Sequence, residues 1–148
     1  MTKIKFGYKD IDELDKPKEV NNVFTSVSNN YDVMNDIMSF GLHRLWKKQF
    51  IRLCNIKSQK KVLDIACGTG DIALELIKKN PSIGLTCLDP NTEMIEICKE
   101  KFINKGITNV DYQIKGIEEY KPEDKKFDLI TVTFGFRNFT NHKIALHN

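Results

Sequence analysis

The chain has 148 residues, of which 41% are hydrophobic and 29% are charged. This length and composition are typical of one soluble globular domain with a single sizeable core. No apolar run is long enough to cross a membrane, and the first residues lack the apolar core of a signal peptide, so we expect a cytoplasmic protein. The formal net charge of +3 is too small to indicate a nucleic-acid partner.

The first part of the chain is predicted to be a polar arm followed by helices. Residues 1–18 are mostly polar and charged, which is typical of a flexible arm, and residues 19–58 form a helical region. In "GLHRLWKKQFIRL" one stripe at helical spacing is apolar and is predicted to face the core: Leu42, Leu45, Trp46, Phe50 and Leu53. Basic residues occupy much of the remaining surface, which either faces solvent or approaches a membrane: Arg44, Lys47, Lys48 and Arg52.

From residue 59 to residue 148, strand patterns alternate with helix patterns. The predicted strands are "KVLDIAC", "IGLTCLDP", "NVDYQIKG" and "FDLITVTF", and the helices between them are "DIALELIKKN" and "NTEMIEICKEKFINKG". Such alternation predicts right-handed βαβ units and a parallel sheet with helices on both faces. We therefore expect an α/β, Rossmann-like fold with about four strands, whose ligand site lies at the carboxyl ends of the strands.

The cysteines are Cys54, Cys67, Cys87 and Cys98, and none belongs to a CxxC pair. No histidine stands at a metal-ligand spacing from them, and Cys67 and Cys87 fall in apolar runs. The pattern favours free thiols in the core of a protein from a reducing compartment over a metal site.

The junction "VLDIACGTGDIALEL" places two glycines between a strand and a helix. Gly68 and Gly70 allow a ligand to approach the main chain closely, and the free N–H groups of the following helix suit a carboxylate or a phosphate. Asp89 follows Gly70 by 19 residues, at the end of the second strand, where an acid accepts hydrogen bonds from ribose hydroxyls. The spacing predicts a site for an adenosine-like ligand.

Two acids bear on which ligand this is. "GTGDIA" also fits the dinucleotide fingerprint, so an NAD(P)-binding oxidoreductase domain is one alternative. Asp64, however, lies close to the inner end of the ligand site, and Asp71 opens the helix where a pyrophosphate would bind. Asp71 is compatible with the ammonium and sulfonium groups of S-adenosylmethionine, or it acts only on the helix dipole. Asp64 needs a partner if it is buried.

At this point the sequence resembles a known family. "VLDIACGTGD", "CLDP" and "FDLITVTFGFRN" are similar to class I S-adenosylmethionine-dependent methyltransferases. "NNVFTSVSNNYDVMNDIMSFGLHRLWKK" resembles the N-terminal signature of the ubiquinone/menaquinone biosynthesis C-methyltransferases, and the likeness runs from about Phe6 to the last residue. The resemblance implies S-adenosylmethionine as cofactor and methylation of a ring carbon of a polyprenylated hydroquinone, either 2-polyprenyl-6-methoxy-1,4-benzoquinol or demethylmenaquinol.

The resemblance also implies a set of cofactor-binding residues. The family's loop threonine, ribose acid and small polar residue after the fourth strand map onto Thr69, Asp89 and Thr133. The family usually has Asn-Ala or Asp-Ala against the adenine, whereas this sequence has Gly116-Ile117. Two alternatives follow: the affinity for the cofactor is lower than in the family, or Glu118 or Glu119 substitutes for the missing side chain. The predicted cofactor site is Asp64, Gly68, Thr69, Gly70, Asp89, Gly116, Ile117 and Thr133.

The implied reaction needs a ring hydroxyl to be ionised and the two reactants to be held in line. Arg137, just past the fourth strand, is the candidate for stabilising the phenolate, with pairing to an acid as the structural alternative. Tyr31, Asp32 and His43 are candidates for lining the quinol side or acting as base, and a structural role is favoured for His43. A lipid substrate favours contact of the basic helix with the cytoplasmic face of a membrane.

Class I methyltransferases have a seven-stranded sheet, and this sequence predicts only four strands before "NHKIALHN". We therefore expect a C-terminally truncated member with weak or no activity. The other alternative is a non-catalytic remnant that serves as an interaction module.

Overall fold

The computed structural model describes residues 3–6, 8–56, 60–122 and 126–148. The N-terminal arm contains two short strands, β1 (Lys3–Phe6) and β2 (Lys9–Asp12), which pair with each other in antiparallel register. The polar composition of this segment did not predict them, because charged residues carry no strand periodicity. Within the described residues this two-stranded sheet is separate from the main sheet.

Three helices follow, as the sequence predicted for this region. They are α1 (Lys16–Val27), α2 (Tyr31–Ser39) and α3 (Leu42–Leu53). The chain turns between α2 and α3 at Phe40 and Gly41, both of which have positive φ. The division of the chain at residues 18 and 58 stays a prediction.

The inward face of α3 is not the one predicted. Of the five residues in the apolar stripe, only Phe50 packs against the core, whereas Leu45 and Trp46 are 61% and 57% exposed. His43 and Ile51 are buried instead. The reason is tertiary: α3 packs Phe50 and Ile51 on the core and places Lys47 next to Asp71 at the start of α4, and the periodicity of α3 alone does not specify these neighbours.

The remaining elements form the predicted α/β unit. The strand order is β5-β4-β3-β6, and all four strands are parallel. β4 and β5 are added on one side of β3 and β6 on its other side, so the strand order reverses between β3 and β6. The bounds are β3 (Lys61–Ile65), α4 (Asp71–Lys79), β4 (Gly84–Leu88), α5 (Thr92–Ile103), β5 (Val110–Gln113), β6 (Leu129–Val132) and α6 (His142–His147). The four strands predicted from the sequence are all present, each somewhat shorter than its apolar run.

Alternating side chains of β3 point to the two faces of the sheet, and each face has its own core. Val62 packs with residues of α4 and α5, including Leu76 and Phe102. Leu63 and Ile65 pack on the opposite face with Ala145 of α6. Helices therefore cover both faces, as expected for a Rossmann-like fold.

The helix ends follow local chemistry. α4 stops before Asn80-Pro81, where the backbone becomes extended. α5 ends in a Schellman motif, in which the N–H of Ile107 donates to the carbonyl of Phe102 (3.0 Å) and the N–H of Gly106 donates to the carbonyl of Ile103 (2.8 Å). No helix in the described part of the chain is both long enough and apolar enough to cross a membrane.

Candidate functional site

A cavity of about 500 Å³ opens at the carboxyl ends of β3, β4 and β6. This is the edge where a parallel sheet binds its ligand, next to the point where the strand order reverses. Its walls come from the strand ends, from the loops after β5 and β6, and from α1. The residues that line the cavity include Asn21, Tyr31, Gly68, Asp89, Asn91, Gly116, Ile117, Glu118, Glu119, Thr133 and Arg137.

The glycine loop, Gly68 to Gly70, follows β3 and lies at the cavity next to the end of that strand. Gly68 lines the cavity, and its N–H donates to Asp89 Oδ2 at 2.9 Å. Gly70 does not line it but caps α4 with φ +79°, and a Cβ at this position would lie 2.3 Å from Cys98 Sγ. The second glycine is therefore required by packing of the loop onto α5, and the first is favoured by its φ of +54°.

Two loops meet closely at the bottom of the cavity. Ala66 and Phe134 both have positive φ, at 53° and 62°, which is unusual for residues with a side chain. A Cβ on Gly135 would lie only 2.3 Å from the Cβ of Ala66. Strained backbone of this kind is held by the surrounding structure and clusters at binding sites.

Asp89 is the acid best placed for a ligand. Its side chain lies on the cavity wall, although the residue is only 8% exposed. Burial raises the pKa of this carboxyl, and hydrogen bonds from the N–H groups of Asn91 and Gly68 oppose that rise. Each oxygen accepts one of these bonds, at 2.9 Å, and retains a second lone pair for a ligand hydroxyl.

Asp64 and Thr69 are close by but do not line this cavity. Asp64 lies in the sheet, 1% exposed, and one of its oxygens accepts a hydrogen bond from Thr131 Oγ1 at 2.7 Å. Burial raises the pKa of Asp64 to about 7, against the effect of that hydrogen bond. Thr69 is buried, and its hydroxyl accepts a hydrogen bond from Lys101 Nζ at 3.2 Å. The direct cofactor contacts predicted for these two residues stay predictions.

Asp71 is engaged by two lysines from different helices. Lys101 on α5 donates to Oδ1 at 2.8 Å, and Lys47 on α3 donates to Oδ2 at 2.5 Å. Burial alone would raise the pKa of Asp71, but these two hydrogen bonds outweigh it and the pKa lies below its usual value. The network neutralises Asp71 and ties α3 to the start of α4, so its charge need not be balanced by a ligand.

The loop after β5 forms the side predicted to face the adenine. Gly116 and Ile117 both line the cavity, and Ile117 is buried. Glu118 lines it as well, and its Oε1 accepts hydrogen bonds from the N–H groups of Thr140 and Asn141. The Glu118 carboxylate is thus anchored at one oxygen, while Glu119 is exposed on the same wall.

Two of the residues predicted for the reaction line the same cavity. Tyr31 at the start of α2 and Arg137 in the turn after β6 both line the cavity. Arg137 is exposed and forms no ion pair with any described side chain, so its predicted pairing to an acid is not seen there. The Oγ1 of Thr133 is buried without a hydrogen-bond partner among the described residues, which marks it as a candidate ligand contact.

His43 lies outside this cavity. It is buried in α3, where its Nδ1 is 2.7 Å from Ser39 Oγ and its Nε2 is 3.4 Å from a carboxylate oxygen of Asp36. These contacts hold α2 against α3, which is the structural role that the sequence favoured. The side chain of Asp32 lies outside the part of the chain that the structure describes.

Sequence reasoning missed the wall contributed by α1. Asn91 caps α5 by accepting a hydrogen bond from the N–H of Met94 at 2.9 Å. Its Nδ2 donates to Asn21 Oδ1 at 2.8 Å and to Thr25 Oγ1 at 2.9 Å, both on α1. The N-cap position of Asn91 was visible in the sequence, but its partners are about 70 residues away and carry no local signal.

Solved structures share this arrangement of strands and helices. The plantazolicin methyltransferase BpumL, crystallised with SAH and a desmethylPZN analogue, superposes with a TM-score of 0.63 at 23% identity, covering 91% of this chain and 52% of that one. YcgJ from Bacillus subtilis gives a TM-score of 0.60 at 27% identity, covering 68% and 42%. The likeness shows the fold of class I methyltransferases.

Curated sequences are more similar. The ubiquinone/menaquinone biosynthesis C-methyltransferase UbiE of Hydrogenovibrio crunogenus is 44% identical over 145 residues, which cover 97% of this chain and 57% of the relative. The UbiE of Rickettsia akari is 44% identical over 152 residues, covering 99% and 60%. The chain thus spans little more than half the length of these relatives. The family model of the ubiE/COQ5 methyltransferases matches residues 12–148, and the chain belongs to that family.

Proposed function

We propose that this protein takes part in S-adenosylmethionine-dependent C-methylation of a polyprenylated hydroquinone in ubiquinone or menaquinone biosynthesis. One observation carries the proposal: Gly68, Asp89, Arg137 and Tyr31 all line one cavity at the carboxyl ends of the strands. The names of the UbiE relatives support the substrate class. Structural neighbours crystallised with SAH, the product of S-adenosylmethionine, support the cofactor.

The residues present fit that cofactor. Asp89 has acceptor capacity for ribose hydroxyls, and Gly116 and the apolar Ile117 on the cavity wall suit contact with an adenine ring. Thr133 supplies a buried hydroxyl that lacks a partner among the described residues. Lys47 and Lys101 balance the charge of Asp71, so this acid would not repel a pyrophosphate. The preference for S-adenosylmethionine over a dinucleotide therefore rests on the family and not on Asp71.

The cofactor supplies an electrophilic methyl group when bound, and the protein has to orient the quinol and favour its ionised form. Arg137 lies on the cavity wall with its guanidinium available to a phenolate oxygen. Tyr31 is held at the mouth by packing against Phe24 of α1, with ring centroids 6.0 Å apart, and lines the quinol side. A fixed cation next to the developing negative charge lowers the barrier because it needs no reorganisation.

Arg137→Ala is expected to lower kcat for methyl transfer to a benzoquinol or naphthoquinol about 10- to 100-fold, because the phenolate loses its cation. The affinity for S-adenosylmethionine should stay within about twofold, since Arg137 is not assigned to the cofactor. Transfer of a labelled methyl group to each quinol, with calorimetry of cofactor binding, measures both quantities.

Two variants serve as controls for Arg137→Ala. Arg137→Lys keeps the charge and should recover part of kcat, and Lys121→Ala removes an exposed cation outside the cavity and should change neither quantity. A loss of cofactor affinity in Arg137→Ala as large as its loss of kcat would contradict the assignment.

We further propose that α2 and α3 contact a lipid surface, which would place a cytoplasmic protein at the membrane face. The two helices expose a group of apolar side chains, here called the α2–α3 apolar surface: Ile37, Met38, Phe40, Leu42, Leu45, Trp46 and Leu53. Lys48 and Arg52 are exposed on the same helix α3 and suit anionic headgroups. Lys47 contributes less than the sequence predicted, because it is paired with Asp71.

Leu45→Ser/Trp46→Ser should reduce binding to vesicles of phosphatidylglycerol and phosphatidylcholine about tenfold or more, because each side chain loses apolar burial in the lipid. Flotation of the protein with the vesicles measures this. Ile103→Ser is the matched control, since Ile103 is 64% exposed on α5, away from this surface. Equal flotation of the double variant and the control would exclude this surface as the contact.

A further inference from the structure

Three cysteines that are distant in sequence converge below the glycine loop. Cys67 lies in the turn after β3, Cys87 in β4 and Cys98 in α5. Their sulfur atoms all lie within 4.8 Å of one another. The sequence predicted separate core thiols. The strand register and the packing of α5 bring them together, and neither is a local property that spacing reveals.

The separation of the sulfurs is close to what a metal ion requires. Thiolates bound to one ion at about 2.3 Å lie about 4 Å from one another, so small side-chain adjustments are sufficient. Cys87 and Cys98 belong to the buried apolar core, and the partly buried Cys67 packs against it. No fourth histidine, cysteine or acid joins the group among the described residues.

The charge of the cluster also favours a cation. Hydrogen bonds from the Cys67 and Cys87 thiols lower the pKa of Cys98, against the effect of burial, and nearby Lys101 adds to the lowering. The same sulfur contacts and burial raise the pKa of Cys67. A metal ion that binds here would displace the protons of these thiols.

We propose that Cys67, Cys87 and Cys98 form a three-coordinate site for a soft metal ion, with Cu(I) as the best match. Thiolate ligands select Cu(I) and zinc, and an apolar pocket without a fourth ligand favours an ion that accepts three sulfurs. A bound ion would connect the turn after β3 to β4 and α5. That turn continues into Gly68, and Cys98 packs against Gly70, so the ion would stabilise the glycine loop at the cavity.

The test is anaerobic titration of the reduced protein with Cu(I) against a chromogenic Cu(I) chelator, together with thermal melting. We expect one Cu(I) per chain and a rise in melting temperature, because the ion binds only the folded state. Cys98→Ala and Cys67→Ala should each weaken binding at least 100-fold and abolish the rise. Cys54→Ala is the matched control, since this fourth free cysteine lies outside the cluster and its loss should change neither.

Cys67→Ala keeps the test decisive if Cys98→Ala fails to fold, because Cys67 is only partly buried and its replacement leaves the core in place. Wild-type protein that takes no Cu(I) from the chelator would overturn the proposal. So would Cys67→Ala protein that binds Cu(I) as tightly as the wild type, or an equal loss of binding in Cys54→Ala.

Discussion

Asp64→Asn is expected to remove a large pH dependence of stability. The pKa of Asp64 is raised by burial from 3.8 to about 7 in the folded protein. The folded state therefore holds this proton more tightly than the unfolded chain, and the stabilisation it provides is complete below pH 3.8 and is lost as the pH rises towards 7. The free energy of unfolding should fall by about 4 kcal/mol across this window from Asp64 alone.

The measurement is urea unfolding of wild type and Asp64→Asn at several pH values between 4 and 8. The difference between their free energies of unfolding should change with pH, because asparagine does not titrate. Any loss of stability from the substitution itself is the same at every pH and does not affect this change. Thr131→Val serves as a second variant, since it removes the hydrogen bond that lowers the pKa of Asp64 and should extend the fall to higher pH. Parallel profiles for wild type and Asp64→Asn would show that this carboxyl does not titrate in the window.

Gly70→Ala is expected to destabilise the protein by about 2–4 kcal/mol, through overpacking and an unfavourable positive φ. The new Cβ would lie 2.3 Å from Cys98 Sγ and 3.1 Å from Cε2 of Phe102, and both neighbours are fully buried. Neither can move away without disturbing the core that joins α4 to α5. Denaturant unfolding with far-ultraviolet circular dichroism measures the loss.

Gly106→Ala is the control that separates the clash from the backbone strain. Gly106 has a similar φ of +70°, but a Cβ there has nothing within 4 Å. It should cost only about 1 kcal/mol, the amount expected for the conformation alone. Equal losses for Gly70→Ala and Gly106→Ala would mean that the loop does not pack on α5 as described.

The sheet was predictable because its signals are local. β3 and β4 are short apolar runs, each followed by a helix with an apolar face, and this alternation predicts a parallel arrangement. The orientation of α3 was not predictable, because it depends on where the core and α4 lie, with Phe50 and Ile51 inward and Lys47 next to Asp71. A hydrophobic pattern reports which residues are apolar, but not which side of the helix meets the rest of the protein.

The candidate site was predictable to the extent that it follows a motif. Gly68 and Asp89 line the cavity as their spacing indicates. His43 does not, because its neighbours in space are Ser39 and Asp36. The contribution of α1 depends on contacts between segments about 70 residues apart, such as that of Asn91, which spacing within one segment does not reveal.

Calorimetric titration of the wild-type chain, Asp89→Ala and Asp128→Ala determines whether the cavity beside Gly68 and Asp89 binds S-adenosylmethionine. We expect the wild type to bind S-adenosylmethionine more tightly than NADH. Asp89→Ala should weaken that affinity roughly 10- to 100-fold, because it loses charge-assisted hydrogen bonds to the ribose. Asp128→Ala removes an acid that bonds only to Lys60 and the Lys61 N–H in the described structure, away from the cavity, and should leave affinity unchanged. Tighter binding of NADH than of S-adenosylmethionine, or unchanged affinity for S-adenosylmethionine in Asp89→Ala, would exclude this cavity as the S-adenosylmethionine site.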